Sequence, residues 1–167
     1  MAGGFKMFGP TYNATKHVRS LYEGFINGAH NISASLVESG KEDLAGRIAA
    51  ITNDGVGLCS KGTGAVGLFV EDLGDMVNAS EKASFYFRGG EYYVSVERMG
   101  LDASSIVAGD QLTTDTEGKI VKLTDPVSEK AIGVATTKPQ EFRMGNMFEH
   151  AGAAANGGLF VGFILYV

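Results

Sequence analysis

The sequence predicts a mainly β protein: a small β-barrel or sandwich with an N-terminal arm and one N-terminal α-helix. Three observations carry this expectation. Glycine accounts for 24 of the 167 residues and proline for only 3; the glycine share is about twice the usual figure of roughly 7%. Many glycines with few prolines mean many tight turns, which favours short strands, and no Gly-X-Y period accompanies them. Strand-like runs recur between clusters of Gly, Asp and Asn at intervals of about ten residues, as in sandwiches and barrels. Only one stretch carries helical periodicity for more than a turn or so. The length suits one domain, and hydrophobic residues at 44% against 20% charged give it a core to bury.

The elements follow in order. Residues 1–12 read as an arm, with Phe5, Met7 and Phe8 interleaved with Gly3, Gly4, Gly9 and Pro10. The segment is too broken for a core element and too apolar for a solvated tail. Over 14–27, Val18, Leu21, Tyr22, Phe25 and Ile26 fall on one helical face. That face can pack on the domain's own sheet, or arm and helix together can dock on a partner subunit. Ser39 and Glu42 have the spacing of a capping box, with room for only a short turn after it. Arm and helix are therefore assigned to 1–44, and the β domain to 45–167.

In the β domain, Arg47–Thr52, Asn53-Asp54-Gly55 and Val56–Ser60 read as strand, turn and strand, and Val66–Val70 as a further strand. Ser84–Arg88 and Glu91–Arg98 flank Gly89-Gly90, a two-residue hairpin signal. Gln111–Thr114 and Lys119–Leu123 flank the turn Asp115–Gly118, and Ala131–Thr136 and Leu159–Val167 complete the set. Residues 137–158 resist a strand reading. A loop of about 20 residues is uncommon in a compact domain, and Phe142, Met144, Met147 and Phe148 give this one the character of a contact surface.

Several function classes are set aside. The net charge of -5 comes with no basic run, so binding to nucleic acid through phosphate contacts is not expected. The longest apolar run, Gly157 to Val167, is far short of the roughly 20 residues that span a bilayer. No basic region followed by an apolar core opens the sequence, so the chain is expected to be intracellular at synthesis. Cys59 is the only cysteine, and His17, His30 and His150 lack a second ligand at close spacing, so no metal is expected. Gly62, Gly64 and Gly67 spell G-x-G-x-x-G, but strand-like residues follow where a dinucleotide site needs a helix; the loop reads as a β-turn. Glu71, Asp72 and Asp75 form a small acidic cluster best read as a solvated turn. No nucleophile elbow or Walker lysine is present. The expectation is a protein without cofactor that is not an enzyme.

The stretch Val107-Ala108-Gly109-Asp110-Gln111-Leu112, followed by Gly118-Lys119-Ile120-Val121-Lys122-Leu123 and Ala131-Ile132-Gly133-Val134-Ala135, resembles the small β-barrel structural proteins of tailed bacteriophages, above all head decoration or cement proteins. Gly133 is expected at a bend or a close backbone approach. The resemblance covers residues 107 to 135 and leaves out the arm and helix. It implies a structural protein made in the host cytoplasm that sits on the outer capsid surface of the virion. Such a protein forms a homotrimer, bridges neighbouring copies of the major capsid protein and stabilises the shell. On that reading Phe5, Met7 and Phe8 anchor the arm, and Phe142, Met144, Met147 and Phe148 form a second contact set at the capsid or subunit interface. A tail or baseplate structural protein is the neighbouring alternative. A glycan-binding module using Tyr86, Tyr92 and Tyr93, and a trimeric β-rich nucleotide hydrolase, stand further off.

Overall fold

The structure is a computed structural model and describes residues 17–20, 31–72, 85–86, 90–141 and 158–167. The strands of these residues form two antiparallel sheets. In chain order they are β1 (Val18–Ser20), β2 (Ile48–Thr52), β3 (Gly55–Leu58), β4 (Ala65–Phe69), β5 (Phe85–Tyr86), β6 (Glu91–Ser95), β7 (Gln111–Thr114), β8 (Ile120–Lys122), β9 (Gly133–Ala135) and β10 (Phe160–Leu165). The larger sheet has the order β1-β6-β10-β9-β7-β8 and the smaller β3-β2-β4-β5. Neither closes on itself, so the fold is a sandwich and not a closed barrel. The single α-helix among the described residues, α1, spans Ala34–Glu38.

The apolar pattern explains the layering. Ile48, Ala50 and Leu68 of the small sheet meet Val94, Leu112, Ile120, Val161, Phe163 and Leu165 of the large one. Ala49, Val56 and Phe69 face the other way and pack on Ile32, Leu36 and Leu44. Successive residues of β2 therefore feed two different cores, which is why the strand reads as a continuous apolar run and not an alternating one. The register of β2 against β4 jumps from Ala49↔Gly67 to Ala50↔Ala65. Val66 is the extra residue of a bulge, and it lets Ala65 and Leu68 share a face.

Residues 31–44 close the far side of the small sheet. Val56 N–H donates to Asn31 O at 2.8 Å, and Ser33 N–H donates to Val56 O at 2.9 Å, which covers the β3 edge. Ser33 Oγ then accepts from Leu36 N–H at 3.2 Å and starts α1. Ser39, expected to begin a turn, instead ends the helix, and its hydroxyl donates to Leu36 O at 2.6 Å.

Two expectations are corrected. The helix expected over 14–27 gives way at Val18–Ser20 to a strand, paired Val18↔Val94 to Ser20↔Tyr92. Val18 is fully buried against the large sheet, and that tertiary pairing prevails over the amphipathic period. The hairpin expected around Gly89-Gly90 does not form either. Its two arms belong to different sheets: β5 pairs with β4, and β6 with β1 and β10. Tyr86 and Tyr92 face each other across the sandwich, with ring centroids 5.1 Å apart and planes 20° from parallel. Between β5 and β6 the chain passes from one sheet to the other.

Residues 107–135 are laid out as three neighbouring strands. β7 pairs with β8 from Leu112↔Lys122 to Thr114↔Ile120, and with β9 at Gln111↔Val134 and Leu112↔Gly133. Gly133 is where a close approach was expected. A Cβ there would lie 2.2 Å from Ile164 O on β10.

Candidate contact surface

Phe5, Met7, Phe8, Phe142, Met144, Met147 and Phe148 all lie outside the described residues. Described residues close to these segments in sequence, His17, Gln140 and Phe160, share one end of the large sheet. His17, which follows the arm, accepts through its carbonyl from Ser95 N–H at 2.8 Å. Ser95 stands opposite Phe160 in the β6–β10 register. Phe160 and Gln140 exchange two hydrogen bonds, at 2.7 and 3.0 Å, and so pin together the two chain ends that flank 142–157. Val96 N–H donates to Leu159 O at 2.9 Å beside them. Residues far apart in sequence thus become neighbours across β1, β6 and β10, a grouping the sequence gives no signal for.

Charged side chains brace this end. Arg98 donates to both carboxylate oxygens of Asp72, at 2.7 and 2.9 Å, and Ala45 N–H donates to the same carboxylate at 2.9 Å. Burial alone would raise the Asp72 carboxyl; the Arg98 and Ala45 hydrogen bonds outweigh it and hold the group below its ordinary value. Asp72 is therefore a lock between the end of β4 and the turn after β6, and not the solvated turn residue or acid–base group that an acidic cluster suggests. Asp75 lies outside the described residues. Nearby, Arg47 is almost wholly buried and donates to Asp43 O, Asp43 Oδ2 and Glu117 O. His17 Nδ1 lies 3.2 Å from Glu97 Oε1.

The glycine motif has a structural task. The loop from Cys59 to Gly64 carries the chain across β2, between β3 and β4, and is clamped to the large sheet. Gly62 N–H donates to Thr114 Oγ1 at 3.1 Å, Lys61 N–H to Asp115 O at 3.3 Å, and Lys130 N–H to Lys61 O at 2.9 Å. Gly62 has φ +74°, and a Cβ there would fall 2.0 Å from Lys130 O. Its amide is taken by Thr114 and not turned toward a ligand. Cys59 is buried beneath the loop, and burial pushes its thiol up, the opposite of what a nucleophile needs.

At the opposite edge of the large sheet, beside β8, lies an open cleft of about 330 Å³. Leu101 and Val121 line it with Asp102, Asp115, Lys122, Thr124 and Glu129, and the Asp115 and Glu129 carboxylates accept from backbone amides of their own turns. Sequence reasoning missed this cleft, because its residues come from three separate turns and from β8. Among the described residues no group of three or more His, Cys, Asp or Glu side chains is placed to hold a metal ion. No helix among them is long and apolar enough to cross a membrane. Tyr86 and Tyr92 are buried in the core, so they do not offer the exposed rings that stacking on a sugar requires. No family model matches the chain, and no curated protein matches it.

Proposed function

We propose that the chain is a structural decoration protein of a tailed-bacteriophage head, binding the outer surface of the shell as an oligomer and bridging its major capsid subunits. One observation carries the reading. The run from Val107 to Ala135, the part that resembles such proteins, supplies β7, β8 and β9 as a contiguous antiparallel unit of the large sheet. Gly118 closes the β7–β8 turn against Ile48 O, and Gly133 lies against Ile164 O. A protein of this kind needs a rigid body and apolar segments that adhere to neighbours. The sandwich supplies the first. Phe5, Met7, Phe8, Phe142, Met144, Met147 and Phe148 are the proposed anchors, and His17, Gln140 and Phe160 meet at one end of the large sheet.

The test is co-sedimentation of the purified protein with undecorated, expanded heads. Saturable binding at a fixed ratio to the major capsid subunit is expected, and absence of binding by a folded preparation refutes the proposal. Deleting residues 1–12 should leave the sandwich folded, since the β1 pairing starts beyond them. It should weaken attachment, because a buried aromatic anchor at an interface is worth about 2 kcal/mol or more. Unchanged attachment would discard the arm as an anchor.

A further inference from the structure

We propose that β1 and residues 31–38 are exchanged between copies of this chain, each copy completing the sandwich of another. This exchange does not depend on the decoration role. Among the described residues, everything before residue 39 joins the sandwich at a sheet edge. β1 is outermost in the large sheet, against β6, and the Ile32 bridge to Val56 lies outside β3, the outermost strand of the small sheet. Without them β2 to β10 keep an unbroken strand order in both sheets. Val18 enters the first core, and Ile32 and Leu36 enter the second. An edge addition makes the same backbone bonds and fills the same core sites whichever copy supplies it.

One short joint, residues 39–42, links these edge segments to the body. Ser39, Gly40 and Glu42 are exposed, and Gly40 has φ +69° with open space where a Cβ would stand. The joint's backbone bonds are local: Gly40 N–H donates to Val37 O at 3.2 Å, and Leu44 N–H donates to Glu42 O at 3.0 Å. Its tie to the body is the Lys41–Glu117 ion pair, whose carboxylate is 56% exposed and which water weakens. The fixed body begins just beyond. Leu44 and Ala45 are fully buried, and Ala45 N–H donates to Asp72 at 2.9 Å. Extended, the four joint residues span at most about 14 Å, a reach that suits an adjoining copy.

The seat selects the occupant. Gly55, at φ +134°, lets the backbone of 31–33 lie directly on β3; a Cβ there would fall 2.5 Å from Asn31 O and 2.9 Å from Ser33 N. A seat fitted this closely accepts the same segment from a second copy and discriminates against an unrelated strand. Exchange therefore keeps the contacts of both edges and alters only the joint, where the left-handed backbone of Gly40 is released. Local protein concentration decides which form prevails.

The test is disulfide trapping in the free, full chain, in a Cys59→Ala background. Ile32 and Val56 are bridge partners in one core, so Ile32→Cys with Val56→Cys brings two thiols within reach of each other. Concentrated protein, oxidised and run on a denaturing gel without reductant, should lose its monomer band to covalent dimers or larger species. Co-expressed chains carrying one cysteine each should give the mixed dimer, and either chain alone should not. Val18→Cys with Val94→Cys, partners across β1 and β6, asks the same of the other seat and serves if the first pair does not fold. Deleting Gly40 and Lys41 strains closure within one chain and should shift the sedimenting species toward the oligomer. Internal disulfides alone, in an undiminished monomer band, overturn the exchange, and so does a folded deletion variant that sediments as a monomer. Interchain disulfides in a protein that fails to bind heads would overturn the decoration role and leave the exchange standing.

Discussion

Asp72→Ala should be among the most damaging single changes to a charged residue of this protein. The carboxylate takes three hydrogen bonds, two from Arg98 and one from Ala45 N–H, at 2.7 to 2.9 Å. The Arg98 and Asp72 side chains are only 14% and 24% exposed. Removing one partner of a fully buried pair costs about 3–5 kcal/mol, mostly because the other charge is stranded. Partial exposure lets water reach Arg98 and brings the expected loss to about 2–3 kcal/mol. For a chain of this size that is a fall in Tm of roughly 4–12 °C, read by circular dichroism. Arg98→Met in the Asp72→Ala background should restore part of the loss, since the stranded charge is then gone. The pH dependence has a definite sign. The Asp72 carboxyl is held below its ordinary value of 3.8, so the pair's contribution is complete above that value and disappears as pH falls through the lower folded value. The gap between wild type and variant should be constant at neutral pH and close below about pH 3.8. A loss under about 0.5 kcal/mol at pH 7 would place Asp72 among ordinary surface ion pairs and refute the account of it as a lock.

Three further outcomes follow from the same structure. Gly133→Ala puts a methyl against Ile164 O in the interior of the large sheet, and backbone on both sides leaves no flexible group to yield; a loss of about 1–3 kcal/mol or more is expected in denaturant unfolding, and a neutral result would mean that β9 and β10 can separate freely. Burial raises the Tyr86 phenol to about 12, with the Tyr92 and Glu71 charges adding to it, and burial with the Glu91 hydrogen bond does the same for Tyr93; both should ionise late in an ultraviolet titration, and stability should be intact below pH 10 and fall as pH climbs toward 12. Cys59 should resist a thiol reagent in the native protein and react on unfolding, so rapid native labelling would contradict its burial.

The parts of the fold that were legible in the sequence are those that depend on local turn chemistry. Asn53-Asp54 joins β2 to β3 with Thr52 opposite Gly55, and Asp115–Gly118 joins β7 to β8, with Asp115 Oδ1 accepting from Glu117 and Lys119 N–H. Short-range hydrogen bonds of that kind are written in adjacent residues. Gly133 was legible because an isolated glycine in a β-rich run marks a close approach. The failures share a different cause. Val18–Ser20 is a strand only because β6 lies beside it, and the three residues are too few to set a period of their own. Gly89-Gly90 marks a reversal, but whether a reversal makes a hairpin or a change of sheet depends on where β4 already lies. Asp72 finds Arg98 across 26 residues, and the cleft draws on Leu101, Asp115 and Glu129, whose proximity is a product of the strand order.

Under the proposed bridging role, that strand order also decides how load would travel. A pull between the β1 edge and the β8 edge runs across the large sheet, through its interstrand hydrogen bonds. The narrowest step is β7 to β9, which has two register pairs, Gln111↔Val134 and Leu112↔Gly133. Flanking backbone bonds widen it: Gly109 N–H to Ala135 O, Ala135 N–H to Asp110 O and Ile132 N–H to Leu112 O, each at 2.8 Å. The Gly62 loop adds a brace from the other sheet, joining Lys61 to both Asp115 and Lys130 and so tying the ends of β7 and β9 together from outside. Several modest hydrogen bonds that must break together resist better than the same bonds in series. A loop that resembles a nucleotide motif in sequence is thereby placed where the large sheet is thinnest. Gly62→Ala, which would force Lys130 away, should reduce shell stabilisation by more than its effect on the stability of the free protein accounts for; a loss matched to the drop in free-protein stability would show that the brace serves folding alone.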